Sequence, residues 1–356
     1  MEVYSQEQQQ RKQSTYFSFD ENFAIQKEVY RDQQYSQIFF ARLHMMRTLL
    51  YSLVPKWKSH LSVCTVLGLE EGKECIIVGT LYKHMKLKPC ILDEYSKERS
   101  VAPLETSAGA FFVEDVLEAG LPPQIERPLK SREDKYVVFV SGLSIGKSSS
   151  NPLQFQLLVD HITGHLGDEE EQGRAAKIVH LVIAGNSVEV SRRLLNGQNL
   201  ASKDQSRWSE PFKELDIQLT QIAANLPLDI MPGSSDPANF FLPQQSLNRC
   251  LFPGSATYNT FRSCTNPHCF ELDNIRFLGT SGCYPFTDRD PFLIDSCPDV
   301  YFVGNQKKYE TRLVKGLEGQ SVRLICIPRF CETGLAVVIN MRNLECHALT
   351  FGTQFR

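Results

Sequence analysis

The sequence has no excess of positive charge: 38 lysines and arginines stand against 41 aspartates and glutamates, a net charge of −3 at pH 7. That excludes a dominant basic face neutralising many backbone phosphates, so nucleic-acid binding has to be argued from a particular site. A disulfide or zinc-knuckle framework is missing too. The 11 cysteines are odd in number and scattered, with Cys64, Cys75 and Cys90 followed by a group from Cys250 to Cys346, and none forms a CxxC pair. Reduced thiols in an intracellular protein are therefore expected. The opening stretch MEVYSQEQQQRKQ holds no apolar core of a leader peptide. No uncharged apolar run reaches the roughly 18 residues a membrane span needs, so no transmembrane helix is expected.

At 356 residues the chain can hold two modest domains, or one large domain with an appendage. Residues 1–32 are polar and aperiodic, the pattern of a disordered tail. Tyr35, Phe39, Leu43, Met46, Leu50 and Leu53 then recur at spacings of three and four, which predicts a helix ending near Pro55. Its stripe could pack on its own domain or clamp a partner. LSVCTVLG, ECIIVGTLY and GAFFVEDV read as short strands. They are fewer than the roughly five strands of an OB-fold, so residues 33–125 are expected to form that helix plus an incomplete OB-type β module. Residues 126–134 read as a Pro-rich, charged linker.

From 135 to 356 the pattern becomes α/β. YVVFV and IVHLVIAG are buried strands by composition, LQFQLLVDHITGHL is a helix over 153–166, and Phe212, Leu215, Leu219 and Ile222 mark another beginning near Ser209 and Pro211. LDIMPG, IRFLG and DVYFVG are short apolar strands ending in small residues, followed by hairpin-like β structure. In open α/β sheets ligands gather where strands end, so those loops are where chemistry is sought.

Three constellations fall short of a site. In Val140–Ser148 (VSGLSIGKS) only Leu143, Ser144 and Ile145 separate the two glycines, where a phosphate loop needs four residues; a solvated Ser/Lys loop fits better. His161 and His165 could share a helix face and a metal, but Ile162 stands where a zinc protease has glutamate and no third ligand is evident. Simple titrating histidines are the alternative. Cys264 and Cys269 with His268 between them lack a second ligand pair.

The strand ends VSGLSIG, VIAGNSVE, MPGSSDP, FLGTSG and YFVGNQK form the informative set. As a series they resemble the loops of calcineurin-like metallophosphoesterases, where carboxylates and imidazoles hold two ions that generate hydroxide. On that resemblance Gly142 and Ser144 stand where the enzymes have Asp and His. Asn186 replaces a bridging Asp, Ser234 and Ser235 replace an Asn-His pair with Asp236 kept, Ser281 replaces a His, and Asn305 and Lys307 take the last two His positions. The resemblance thus implies a degenerate site: no catalytic residue, no metal and no cofactor.

Inactivated domains of this type characterise the B-type subunits of replicative DNA polymerases. The strings LLVDHITGHLGDEEEQ, DIMPGSSDPANFFLPQQSLNRCLFP and GCYPFTDRDPFLIDSCPDVYFVGN resemble the delta branch of that family from about Tyr35 onward. The resemblance implies an α+β fold, with an N-terminal helix and truncated OB-fold module packed on a degenerate phosphoesterase αββα sandwich. It implies a nuclear, non-catalytic scaffold in DNA replication and repair. That scaffold would bridge the cysteine-rich C-terminal module of the catalytic subunit to a third subunit, reach the sliding clamp indirectly, and meet DNA through the complex without touching membrane. Alternatives are DNA binding by the OB-type module, using Tyr82, Phe111 and Phe112, or a residual metal-dependent phosphoesterase around Asp236 and the His161/His165 pair. The resemblance also implies that two family segments are missing, one of several tens of residues between Leu104 and Gly109 and a helical stretch between Gly282 and Cys283, as exon skipping or a gene-model error would produce.

Overall fold

The computed structural model describes residues 10–25, 37–80, 104–106, 109–125, 133–147, 150–189, 202–282, 284–285 and 293–352. The chain divides into two compact units. The first comprises Met1–Asp32, Pro122–Thr287 and Pro291–Arg356; the second comprises Gln33–Leu121 with Asp288–Asp290.

The first unit opens with a strand, β1 (Tyr16–Ser18), and a 3-10 turn, Asp20–Phe23. Residues 10–25 are therefore not part of the disordered tail that composition predicts. β1 pairs antiparallel with a strand near residue 270, and the Arg11 guanidinium donates to the carbonyls of Ile162, Ala175 and Ile178 at 2.8, 3.0 and 2.8 Å. A polar segment is held in place by partners far along the chain, which local composition does not register.

In the second unit, helix α1 (Gln37–Trp57) runs through Pro55 to Trp57. Leu43, Met46, Leu50 and Leu53 are half-buried and Val54 is buried, while Phe40, Met45, Leu49 and Tyr51 are exposed. The strands are short: β2 (Val63–Cys64) pairs parallel with β3 (Ile76–Ile77), and β4 (Leu104–Thr106) antiparallel with β5 (Gly109–Phe111). Among the described residues these two-stranded pieces do not close a barrel. Val63, Val66, Leu67, Phe112 and Val116 are exposed, Leu67 almost completely.

The first unit resumes at β6 (Tyr136–Val140). Helix α2 (Pro152–Thr163) is capped by the Asn151 side chain, which accepts from Leu153 N, and stopped by left-handed Gly164. A short α3 (Glu169–Ala175) leads to β7 (Ile178–Ala184). Helix α4 (Ser202–Ala223) begins seven residues before the expected Ser209, with Pro211 inside it. There follow β8 (Leu228–Met231), β9 (Phe241–Leu242), β10 (Phe261–Ser263), β11 (His268–Leu272) and β12 (Ile275–Ser281). The chain ends with β13 (Tyr284–Pro285), β14 (Val300–Gln306), β15 (Glu310–Lys315), β16 (Ser321–Pro328), β17 (Leu335–Asn340) and β18 (Cys346–Thr350).

These strands build two mixed six-stranded sheets, ordered β10-β8-β7-β6-β17-β18 and β1-β11-β12-β14-β16-β15. In the first, β10, β8, β7 and β6 are mutually parallel; in the second, β12, β14 and β16 are. Side-chain alternation along β6 splits its residues between two cores. Val138 and Val140 join Leu158 and Ile162 of α2 and Leu215 and Leu219 of α4. Val137 and Phe139 join Phe270, Phe277 and Phe302 of the second sheet. The layers are thus helix, sheet and sheet, and the fold is α+β. Each fully buried leucine or phenylalanine contributes about 1.5–3 kcal/mol.

Candidate functional site

The parallel strands deliver their carboxyl ends to one place. After β6 the chain turns through Gly142 and Ser144 at φ +59° and +47°; after β7 it turns through Gly185 and Asn186 at +79° and +55°; Asn305, near the end of β14, sits at +59°. The left-handed region is unfavourable for serine and only tolerated by asparagine, and such strain clusters where loops hold a constellation.

The predicted positions meet here. Asn305 Nδ2 donates to Ser281 Oγ at 2.7 Å, and Asn305 N donates to Ser141 Oγ at 2.9 Å. Asn186 Oδ1 accepts from Ser235 N at 3.2 Å and from Ser234 Oγ at 3.4 Å. Glycines let the loops touch. A Cβ on Gly142 would lie 2.8 Å from Asn305 Oδ1, one on Gly185 2.3 Å from Ser281 Oγ, and one on Gly233 2.2 Å from Asn186 Oδ1. Gly142, Asn186, Ser234, Ser235, Ser281 and Asn305 thus form one contiguous cluster. Ser144 joins it through its backbone, donating to Asn186 O at 3.0 Å. Lys307 is exposed, two residues beyond Asn305.

Asp236, beside this cluster, is turned to the backbone. Asp236 is buried; its Oδ1 accepts from Ser187 N and Val188 N at 2.9 and 3.0 Å, and its Oδ2 from Gly233 N at 2.8 Å. Burial pushes its carboxyl up to about 6, against the backbone donors that favour the anion. What remains in the cluster is amides and hydroxyls, a poor donor set for a pair of divalent ions, which take carboxylate and imidazole ligands. The buried Oδ1 atom of Asn305 has no hydrogen-bond partner, a single neutral acceptor.

The other candidates resolve differently. In the 141–147 loop, Gly142, Ser144 and Ile145 donate their N–H groups to the carbonyls of Gly185, Asn186 and Ser187. Those donors are spent on the neighbouring loop rather than turned to an anion. His161 and His165 do not share a helix face, because α2 stops at Thr163; His165 Nδ1 lies 2.8 Å from Thr163 Oγ1, while half-buried His161 packs edge-on against Phe351. Burial lowers the His161 pKa. Cys264 and His268 do lie close together, but their third neighbour is Asp20, not Cys269.

Sequence reasoning missed a buried ionic cluster between the sheets, built from Asp20, His180, Asp229, Arg262 and His268. Its signal was a histidine inside IVHLVIA and an aspartate inside LDIM, polar residues in strands otherwise fully apolar.

Two family models match the chain: one for the B-type subunit of DNA polymerases alpha and epsilon, over residues 137–283, and one for the DNA polymerase delta subunit OB-fold domain, over 34–117. Together they define the class, a polymerase B-type subunit with an OB-type module before its α/β unit. A DNA polymerase delta small subunit of Arabidopsis thaliana is 63% identical over 436 positions, covering 99% of each chain. One of Oryza sativa is 58% identical over 97% of this chain and 99% of its own, and a DNA polymerase delta subunit 2 of Drosophila melanogaster is 29% identical over 90% and 93%. The chain belongs to the DNA polymerase delta small-subunit family. A match over 436 positions by a chain of 356 residues leaves at least 80 positions of the relative that this chain does not fill. A solved NAD nucleotidase of Haemophilus influenzae superposes at a TM-score of 0.29 and 8% identity, covering 61% of this chain and 55% of that one, a likeness that carries no argument.

Proposed function

We propose that this chain is a non-catalytic accessory subunit of a nuclear DNA polymerase delta complex, working in replication and repair. It would bridge the cysteine-rich C-terminal module of the catalytic subunit to a third subunit. Its first unit is read as a phosphoesterase-like domain whose metal ligands at 142, 144, 186, 234, 235, 281, 305 and 307 have been lost. The observation that carries this reading is the strand-end cluster. It is filled by neutral donors, and its one carboxylate is committed to three backbone amides. A surface that makes no chemistry of its own is free to serve as an interface, and stable subunit interfaces bury on the order of 2,000 Å² or more.

The unfilled positions of the alignment are attributed to the two junctions, Leu104–Gly109 and Gly282–Cys283. A β module short of its central strands would then present a reduced interface. Co-expression with the catalytic subunit's C-terminal module tests both statements. Capture of the chain, weaker than that of a full-length relative, is expected; no capture at all refutes the scaffold, and full-affinity capture refutes the impairment. Two tightly bound transition-metal ions per purified chain, with phosphodiesterase turnover, would refute the loss of the metal site.

A further inference from the structure

The N-terminal segment crosses the sheets over an arrangement the scaffold reading does not use. His268, on β11, is wholly buried, and each of its ring nitrogens faces a carboxylate. Nδ1 lies 2.8 and 2.9 Å from the two oxygens of Asp20. Nε2 lies 3.1 Å from Asp229 Oδ2. A neutral imidazole has one donor and one acceptor, so it can satisfy only one of those carboxylates; the doubly protonated ring satisfies both. We propose that residues 10–25 are a strap locked onto the second sheet by this buried imidazolium, clamped between Asp20 on the strap and Asp229 in the first sheet.

Every element around the ring contributes to the clamp. From β7, His180 Nε2 meets the same Asp229 Oδ2 at 2.8 Å. From β10, Arg262 Nη1 stands 3.5 Å from Asp229 Oδ1, and its guanidinium lies 3.9 Å over the Tyr16 ring of the strap. Tyr16 stacks on His180 and Phe270, and Phe270 on His268 at 4.7 Å. The Cys269 N–H donates to Asp20 Oδ1 at 3.1 Å. The Cys264 thiol, pushed up to about 12 by burial, stays neutral at physiological pH.

Asp20, Cys264 and His268 offer three ligand atoms within 4.8 Å of one another, so a metal ion is the competing occupant. The proton is favoured because the distances from both ring nitrogens are those of hydrogen bonds. The Arg262 guanidinium, 3.5 Å from Asp229 Oδ1, also places a fixed positive charge beside that carboxylate, which disfavours a further cation there.

The latch has a direction in pH. Burial opposes the ring's charge, but the Asp20 and Asp229 carboxylates, each facing one ring nitrogen, outweigh it and hold the His268 pKa well above the usual histidine value. A raised folded-state pKa means that, with Asp20 and Asp229 ionised, the ring's support for docking is fully present below its ordinary value of about 6.5 and is lost as pH rises through the elevated folded value. Release would uncover the β11 edge and the face of Phe270.

Hydrogen exchange of the Tyr16–Ser18 amides in the full chain, corrected for intrinsic rates, reads the latch. In Asp20→Asn and His268→Gln, which each remove one charge-assisted hydrogen bond, strap protection at neutral pH is expected to fall about tenfold, with β6 and β7 amides unchanged. Wild-type strap protection is expected to decline on the alkaline side, while that of His268→Gln stays flat. Wild-type protection in both variants, or a wild-type strap indifferent to pH, would overturn the proposal. Should the variants fail to fold, nuclear magnetic resonance of ¹⁵N-histidine in the wild-type chain decides it: a doubly protonated His268 at neutral pH supports the latch and a neutral ring overturns it. One zinc ion per chain, whose chelation frees the strap, would overturn it in favour of a metal site.

Discussion

Removing the Asp236 carboxylate tests the claim that it is structural. Alanine takes away both acceptors and leaves the N–H groups of Ser187, Val188 and Gly233 facing a sealed void. An unsatisfied buried donor costs about 1–3 kcal/mol, and three sharing one void relax together, so a loss of about 4 kcal/mol is expected. Asparagine can keep its carbonyl on Ser187 and Val188 but must turn its amide against the Gly233 N–H. Relief of the buried charge offsets part of that conflict, for a loss of about 2 kcal/mol. The predicted order of stability is aspartate, asparagine, alanine, measured by urea unfolding of the full chain at neutral pH, with metal content determined on the same samples. An alanine variant within about 1 kcal/mol of wild type would refute the reasoning, because most substitutions without a structural role fall within that range. So would loss of a bound metal at unchanged stability, since the carboxylate would then be a ligand.

Other outcomes follow from the same geometry. Because the folded Asp236 carboxyl titrates near 6 rather than 3.8, the part of the stability linked to its proton is fully present below 3.8 and is lost as pH rises through 6, leaving the three backbone hydrogen bonds of the carboxylate above that; Asp236→Asn should lack that slope in unfolding measured across this window. Gly142→Asp, the residue type the phosphoesterase resemblance implies for this position, places a Cβ at φ +59° against Asn305 and Arg329. It should destabilise the chain by about 2 kcal/mol and restore no tight metal binding by elemental analysis. Arg11→Ala strips the donors from three carbonyls at once. A cost of about 2 kcal/mol is expected in urea melts, with earlier fraying of the strap in hydrogen exchange.

The α/β unit was legible because its strands are written in runs such as YVVFV and IVHLVIA, whose burial on both faces leaves little ambiguity of period. Its strand-end cluster was legible for a related reason: small residues after apolar strands mark loops that approach closely, and Gly142, Gly185 and Gly233 do so. The start of α4 was hidden because Pro211 looks like a first-turn residue, whereas it lies well inside the helix. The His161/His165 pairing failed because Gly164 takes a left-handed conformation and ends the helix between them. The strap was invisible because a three-residue strand in a polar stretch carries no period, and its partners lie near residue 270. The ionic cluster was equally hidden, since only the tertiary fold brings Asp20, His180, Asp229 and His268 together.

The strap also sets an order of events in synthesis. Asp20 leaves the ribosome 248 residues ahead of His268, the ring it closes on. Residues 33–121 of the second unit and most of the first must be made while β1 has no strand to pair with. Contacts of such long range are formed late and slowly. The earliest part of the first unit to be translated therefore waits for a partner that emerges late, and until β11 is made β1 is itself a strand with both edges unpaired.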